Sequence, residues 1–404
     1  MLQARGWVLN PTIAVCWSCR DTRMEPITHL MTGACLARAG FNRKAAYATL
    51  AMTIAAEMPD LDMLWSADGP VASFQHHRGI THTLLGLPFE GALVIGAIWL
   101  VHRWRVRRAA TKAALTAAPS DPDPMTDQPI VRPLTAAPVR WALLYGFVLI
   151  ALLSHILLDW TNNYGVRPFF PFNPRWYAGS LVFIFEPLLF IALLIGLAAP
   201  SLFGLIGSEV GARKPAFRGR GWAIFALVAM VGIWGWRSVE HDTAVRLAST
   251  ASYGPTAMGA EVLRVTASPY PGNPYRWHTV ADTPAFYQMA TVDSLMETVT
   301  TDPAQDLFYK PLATAATVAA KRSWLGRVYL DWSSWPLVTE IGPAVPPEAG
   351  LGAPDATAVR FLDLRFLYDT SLLQGRSNPP ISGTVYINVG GGVAEMDFGR
   401  RAQH

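Results

Sequence analysis

The sequence predicts an α-helical membrane bundle of about four spans, with a short N-terminal helical hairpin before it and a C-terminal soluble α+β domain after it. Three observations carry that expectation. The 404 residues are 51% hydrophobic and only 15% charged, with mean hydropathy +0.24, whereas soluble domains carry about 25% charged residues. Four long apolar runs lie ahead of Val239. Beyond that point the pattern changes to short β-type runs separated by turn residues.

The apolar runs are residues 84–101, 141–158, 181–199 and 222–236. A span needs roughly 20 apolar residues, so the first three approach full length and the fourth is short. Residues 27–39 and 45–58 form two helical arms, each too short to span alone. Arg38, Arg43 and Lys44 mark the turn between them. The arms read as a hairpin packed against the bundle and partly in the membrane.

Lysine and arginine set the orientation, because loops rich in them stay in the cytoplasm. Residues 102–140 hold Arg103, Arg105, Arg107, Arg108, Lys112, Arg132 and Arg140, and residues 200–221 hold Arg213, Lys214, Arg218 and Arg220. Both loops are expected inside. Residues 59–83, 159–180 and everything after about Arg237 then face outward. Residues 113–138, rich in Ala, Pro, Asp and Thr, read as a disordered cytoplasmic linker. The membrane domain is thus expected over 24–238 and an extracytoplasmic domain over 239–404. In that domain, runs 261–268, 276–282, 286–292, 326–332, 359–368 and 384–389 are expected as strands and 311–321 as a helix. Trp277 and His278 read as core or rim residues.

The net charge of +4 gives no argument for a nucleic-acid partner; the expected partner is the lipid bilayer. Cys16 and Cys19 form a lone C-x-x-C with no second pair to complete a structural zinc site. Residues 1–23 lack a small-residue cleavage site, since Arg20-Asp21-Thr22-Arg23 stands there. They are expected to be an extension ahead of a start at Met24.

Chemistry concentrates in a few outward segments. Phe74-Gln75-His76-His77-Arg78-Gly79-Ile80-Thr81-His82-Thr83 places three histidines and an arginine within seven residues, just before an apolar run. Imidazole suits zinc and other transition metals, and Arg78 is expected to meet an anionic oxygen. His155 and Asp159 are four apart and share a helix face. An ionisable residue inside a span is costly and marks function. Asp60 and Asp62 follow Pro59 and offer hard oxygens to a divalent cation or an activated water. His29 stands near the start of the first arm, and Glu186 lies five residues into the 181–199 run. The orientation, set by Lys and Arg alone, brings His29, Asp60, Asp62, His76, His77, His82, His155, Asp159 and Glu186 to the same side. That agreement points to a divalent-metal site, zinc foremost and manganese next. His29, His77, His82, His155, Asp159 and Glu186 are the expected ligands. Asp60, Asp62, Arg78 and Asp159 are the expected catalytic groups, the choice between ligand and general base staying open.

These elements resemble a known family. Met24-Glu25-Pro26-Ile27-Thr28-His29, Pro59-Asp60-Leu61-Asp62, His76-His77-Arg78-Gly79-Ile80-Thr81-His82-Thr83 and the stretch from Ser154-His155 to Asp159-Trp160 are similar to the bacterial LexA-binding, inner-membrane-associated metal-dependent hydrolases. Asn163-Tyr164-Gly165-Val166-Arg167-Pro168 and Pro269-Tyr270-Pro271-Gly272-Asn273-Pro274-Tyr275-Arg276-Trp277 also resemble that family, whose members usually carry Asp where this chain has Glu186. The resemblance implies a bacterial inner-membrane location and metal-assisted hydrolysis. A site at the bilayer surface then implies an anionic lipid, lipid-linked or phosphoester substrate. The competing expectation is a membrane scaffold or metal-sensing protein without enzymatic activity.

Overall fold

A computed structural model describes residues 26–116, 138–209, 219–254, 260–344, 356–370, 379, 381–399 and 401–403. Residues 1–23 and most of the 113–138 linker lie outside them. The hairpin forms as expected: α1 (Pro26–Arg38) and α2 (Ala48–Ala55) pack closely through small residues. Gly33 has no room for a side chain, since a Cβ there would lie 2.4 Å from the Met52 carbonyl oxygen. A 3-10 segment, Met58–Asp68, follows, opened by Pro59. Then come α3 (Pro70–His76), a 3-10 turn (Ile80–His82), and four long helices: α4 (Leu87–Thr116), α5 (Trp141–Thr161), α6 (Pro187–Glu209) and α7 (Arg220–Thr250).

The four expected spans are met in part. Helices α5 and α7 are long and apolar enough to cross a membrane. The α3 region and α4, bent by 86° at the break between them, make a third if read as one broken span. The apolar part of α6, Pro187–Phe203, is shorter. Its helix starts later than the hydropathy run because residues 181–186 are irregular chain, with Pro187 opening the helix. One core gathers Ala48, Ala51, Met52 and Ala55 of α2 with Val94 of α4 and Leu144, Val148, Ala151 and Leu152 of α5. Small residues on α2 let the three backbones approach, which is how helices associate where burial from water supplies little drive.

Two five-stranded antiparallel sheets build the C-terminal region. The first contains β1 (Arg264–Tyr270), β2 (Asn273–Asp282), β3 (Phe286–Asp293) and β4 (Thr298–Thr300) in that order, with β5 (Leu307–Tyr309) on β3. The second contains β6 (Pro336–Ala344), β7 (Ala356–Asp363), β8 (Ser382–Ile387), β9 (Val393–Phe398) and β10 (Arg401–Ala402), ordered β10-β9-β8-β7-β6. Helices α8 (Ala315–Arg322) and α9 (Trp324–Trp332) connect them. The strand expected at 326–332 is therefore α9. Its buried Leu325, Tyr329 and Trp332 recur at helical spacing over the second sheet, and Ser323 caps its start by accepting from Gly326 N–H at 3.0 Å. Trp277 and His278 are buried core residues, His278 Nε2 lying 2.8 Å from the Leu364 carbonyl.

The boundary expected at 238/239 falls inside α7, whose Ala244 and Ala248 pack on Ala267, Trp277 and Val292 of the first sheet. Two further junctions tie the β region to the helices. Trp332 Nε1 donates to the Tyr164 carbonyl at 3.2 Å and Arg365 Nη1 to that of Asn163 at 2.9 Å. Gln403 bridges the end of the 3-10 segment and the start of α3, its Nε2 donating to the Asp68 carbonyl at 2.9 Å and its Oε1 accepting from Val71 N–H at 2.8 Å.

Asp363 and Arg365 are buried together at the end of β7. Arg365 donates to both carboxylate oxygens, at 2.9 and 2.8 Å, and Ser333 Oγ donates at 2.6 Å. Burial alone would raise the Asp363 carboxyl, but the Arg365 charge and these hydrogen bonds hold it below the usual carboxylate range. A carboxyl depressed in the folded state stabilises at pH above its unfolded pKa, about 3.9. That contribution is lost as pH falls through the lower folded value. Asp363→Asn is therefore expected to destabilise the β region by about 3–5 kcal/mol at neutral pH, because it leaves Arg365 buried and unpaired. It is also expected to flatten the acid dependence below about pH 4. Denaturant titrations followed by tryptophan fluorescence at neutral and acid pH check both; unchanged neutral stability would contradict the reading.

Candidate metal centre

Four side chains from three separate parts of the chain meet. Asp60 comes from the 3-10 segment after α2, His82 from the turn before α4, and His155 and Asp159 from successive turns of α5. One donor atom from each lies within 4.8 Å of all the others. His82 Nε2 stands 3.1 Å from His155 Nε2, 3.3 Å from Asp60 Oδ1 and 3.2 Å from Asp159 Oδ2. His155 Nε2 stands 3.6 Å from Asp60 Oδ1 and 3.3 Å from Asp159 Oδ2. A tetrahedral ion with bonds near 2.0 Å separates its ligands by about 3.3 Å. The five separations that involve a histidine nitrogen, 3.1–3.6 Å, already lie near that spacing.

The surroundings fix which atoms point inward. The Ala56 carbonyl lies 2.7 Å from His155 Nδ1 and can only accept, so Nδ1 donates there and Nε2 faces the cluster. His82 Nδ1 lies 3.1 Å from Thr81 Oγ1 and 3.4 Å from Asp62 Oδ2, which directs its Nε2 the same way. With both inward nitrogens unprotonated, two imidazole lone pairs and two carboxylates would face one another, an arrangement that repels itself unless a cation or a shared proton sits among them. Consistently, Asp60 Oδ1 and Asp159 Oδ2 are buried without a hydrogen bond. Buried polar atoms of that kind are costly and call for an explanation. The donor set fits a divalent cation.

The other expected site residues take supporting places. Asp62 faces away from the cluster: its Oδ2 accepts from Arg78 N–H at 2.7 Å, and its Oδ1 lies 3.3 Å from His77 Nδ1. Asp62 thus orients His82, with His77 behind it rather than at the centre. Replacing Asp62 by alanine is expected to weaken metal affinity about 10–100-fold without removing a ligand. Competition against a chelator of known affinity measures this, and an unchanged affinity would count against the orienting role. His29 lies beside the group, its ring stacked on His155 at 4.0 Å and its Nε2 3.6 Å from Asp159 Oδ1. His76 stacks on Trp65 instead, at 4.0 Å.

Two expectations change. Arg78 was expected to meet a substrate anion, but its guanidinium is fully buried and turned into the protein. It pairs with Asp159 Oδ1 and donates to Asn162 Oδ1 at 3.2 Å and the Gly165 carbonyl at 2.6 Å. The left-handed backbone also falls on Arg78, with φ 54°, and not on Gly79. Gly79 is needed for space, because a Cβ there would lie 2.7 Å from the His76 carbonyl oxygen. Glu186 was expected as a ligand inside a span. It instead precedes α6, pairs with buried Arg237 of α7 and accepts from Gly272 N–H at 3.1 Å. One carboxylate was missed: Glu90, buried in the first turn of α4, with His82, His155 and Asp62 as its electrostatic neighbours. An acid in an apolar run is the signal that could have found it.

The fold and this cluster together define a protein with helices long and apolar enough to cross a membrane and a buried group of two histidines and two carboxylates. The chain belongs to the YdjM inner membrane protein family, whose model matches residues 24–244 and so includes every residue of the cluster. An uncharacterized protein of Bacillus subtilis (strain 168), YfhP, is 22% identical over 183 residues, covering 43% of this chain and 46% of that protein. The chain therefore spans a little under half the length of that relative. No solved structure matches the chain.

Proposed function

We propose that this protein is a multi-pass, metal-dependent hydrolase of the inner membrane, with its β region on the extracytoplasmic side and a phosphoester, lipid or lipid-linked substrate. The observation that carries the reading is the convergence of Asp60, His82, His155 and Asp159 on one buried point, near ligand spacing. Two nitrogens and two oxygens at that spacing favour zinc, with manganese next. A bound cation of this kind polarises a phosphoryl oxygen and activates water. The chain's own residues do the rest. Ala56 and Asp62 hold the two imidazoles in one tautomer, and Arg78 keeps one oxygen of Asp159 engaged so that the other faces inward. The orientation rests on the arginine-rich segments following α4 and preceding α7, and four crossings require α6 to span despite its shorter apolar stretch.

One observation favours a second reading. Four protein donors at tetrahedral spacing resemble a closed structural site, whereas catalytic zinc keeps a position open. That would suit a metal-sensing or scaffolding protein. Turnover separates the two. The purified protein, reconstituted with zinc or manganese, is expected to hydrolyse a member of a panel of phosphomonoesters, phosphodiesters and phospholipids, and to lose that activity to chelator. Stoichiometric metal with no turnover across the panel would favour the structural metal.

A further inference from the structure

The segments that carry the cluster are built inside out. In Leu61-Asp62-Met63-Leu64-Trp65 the four apolar side chains are exposed, Leu64 by 70%, while the one charged residue, Asp62, is 4% exposed. Around the second ligand the pattern repeats: Ile80, Leu84 and Leu85 are exposed, and His82 and Thr83 are fully buried. Between residues 58 and 101 the only charged side chain left exposed is Asp68. A loop standing in water shows the opposite order, polar side chains outward and apolar ones covered. Inverted polarity over a contiguous surface belongs to a lipid environment, where ionisable groups turn to the interior.

The rim is continuous with surfaces of the same character. Phe89 and Leu93 extend it along α4, and on α5 Leu153, Leu157 and Trp160 are exposed while His155 and Asp159 on the same turns are buried. At its other end the rim becomes polar: exposed Ser66, Ala67 and Asp68 follow Trp65, and the Asp68 carbonyl is met by Gln403 of the β region. Trp65 thus stands between the apolar and polar stretches, the place tryptophan prefers at a membrane interface. Of the four donors, Asp60 has the most exposed side chain, at 12% against 0% for His82, and it directly precedes the rim residue Leu61.

We infer that this rim is seated in the bilayer leaflet on the side of the β region, so that the metal centre is approached sideways from lipid at Asp60. Resting on the hydrolytic reading above, the substrate class is then a membrane lipid with an anionic head group, not a water-soluble ester. The outward segment 59–83 is accordingly not an aqueous loop over its whole length.

Depth measurement tests the seating independently of catalysis. Nitroxide labels are placed by Leu64→Cys, Leu85→Cys and Asp68→Cys in full-length protein whose Cys16, Cys19 and Cys35 are replaced by alanine, in phosphatidylethanolamine–phosphatidylglycerol nanodiscs. Labels at 64 and 85 are expected to collide mainly with oxygen, which partitions into lipid, and the label at 68 mainly with a water-soluble nickel chelate. Nickel-dominated collisions at 64 and 85 would overturn the seating. So would protection from both reagents, which would mean that a second copy or another protein covers the rim. In the same nanodiscs, turnover of a long-chain anionic phospholipid is expected to fall more than about tenfold when its acyl chains are removed. Equal turnover of the soluble analogue would overturn the lipid substrate. Lipid-seated labels with no turnover of either compound would refute the hydrolytic reading and leave the seating in place.

Discussion

Asp159→Ala is expected to abolish metal binding and to cost the fold about 3–5 kcal/mol, since it removes the partner of a buried guanidinium. Asp159 serves two charges at once. One carboxylate oxygen is engaged by Arg78, and the other stands 3.2–3.3 Å from His82 and His155. Arg78 also donates to the Asp159 and Gly165 carbonyls and to Asn162 Oδ1, neutral oxygens that do not replace the charge of a carboxylate. Asp159→Asn separates the two roles, because it keeps the shape and a hydrogen-bond acceptor while removing the charge. Metal should still be lost, with a smaller loss of stability. Metal content and thermal unfolding in detergent, read on both variants, check this. Metal retained in Asp159→Ala would remove Asp159 from the ligand set.

The second large effect separates a junction from the metal centre. Glu186→Ala is expected to destabilise the packing of the β region on α6 and α7 by about 3–5 kcal/mol, with metal content unchanged. Arg237 is fully buried, and its other hydrogen bonds go to the Asn273 and Tyr270 carbonyls, at 3.0 and 3.2 Å. Those oxygens are too weakly charged to replace a carboxylate. Faster proteolysis of the β region in Glu186→Ala, beside unaltered metal content, is the expected outcome. Metal loss with normal resistance to protease would reinstate Glu186 as a ligand.

Much of the cluster was legible because its residues announce themselves locally. His155 and Asp159 share a helix face through their spacing of four, and their cost inside an apolar run singles them out. His82 and Asp60 stand out as ionisable residues flanking apolar segments. What could not be read was direction. Asp60 and Asp62 are two apart after Pro59, and only the 3-10 path turns Asp60 to the cluster and Asp62 behind His82. Arg78 looked like a substrate group because nothing nearby in sequence showed that Asn162 and Gly165 would enclose it. Glu186 lies in irregular chain and has its partner 51 residues later, in helix α7.

The fold shows the same division between local and distant signals. The hairpin α1–α2 and helices α5 and α7 follow from apolar runs and small residues. Strands β1 and β2 follow from short β-type runs on either side of the turn signal Pro271-Gly272, where Gly272 adopts φ 72°. Edge strand β6, with Pro336 at its start and Gly342-Pro343 near its end, carries turn residues instead of a strand pattern. Helix α9 carries Val328, Tyr329, Trp324 and Trp332, residues of high strand preference, and packing over β7 and β8 overrides that preference.

The central claim is that His82 and His155, 73 residues apart, hold one ion. Metal analysis by mass spectrometry of the detergent-purified wild type beside His82→Ala and His155→Ala tests it most directly. The account predicts about one divalent ion per chain in the wild type, as a single mononuclear site requires, and loss of that ion in both variants while each stays folded. Absence of metal from the wild type even after reconstitution with zinc or manganese, or loss in only one variant, would contradict a shared centre.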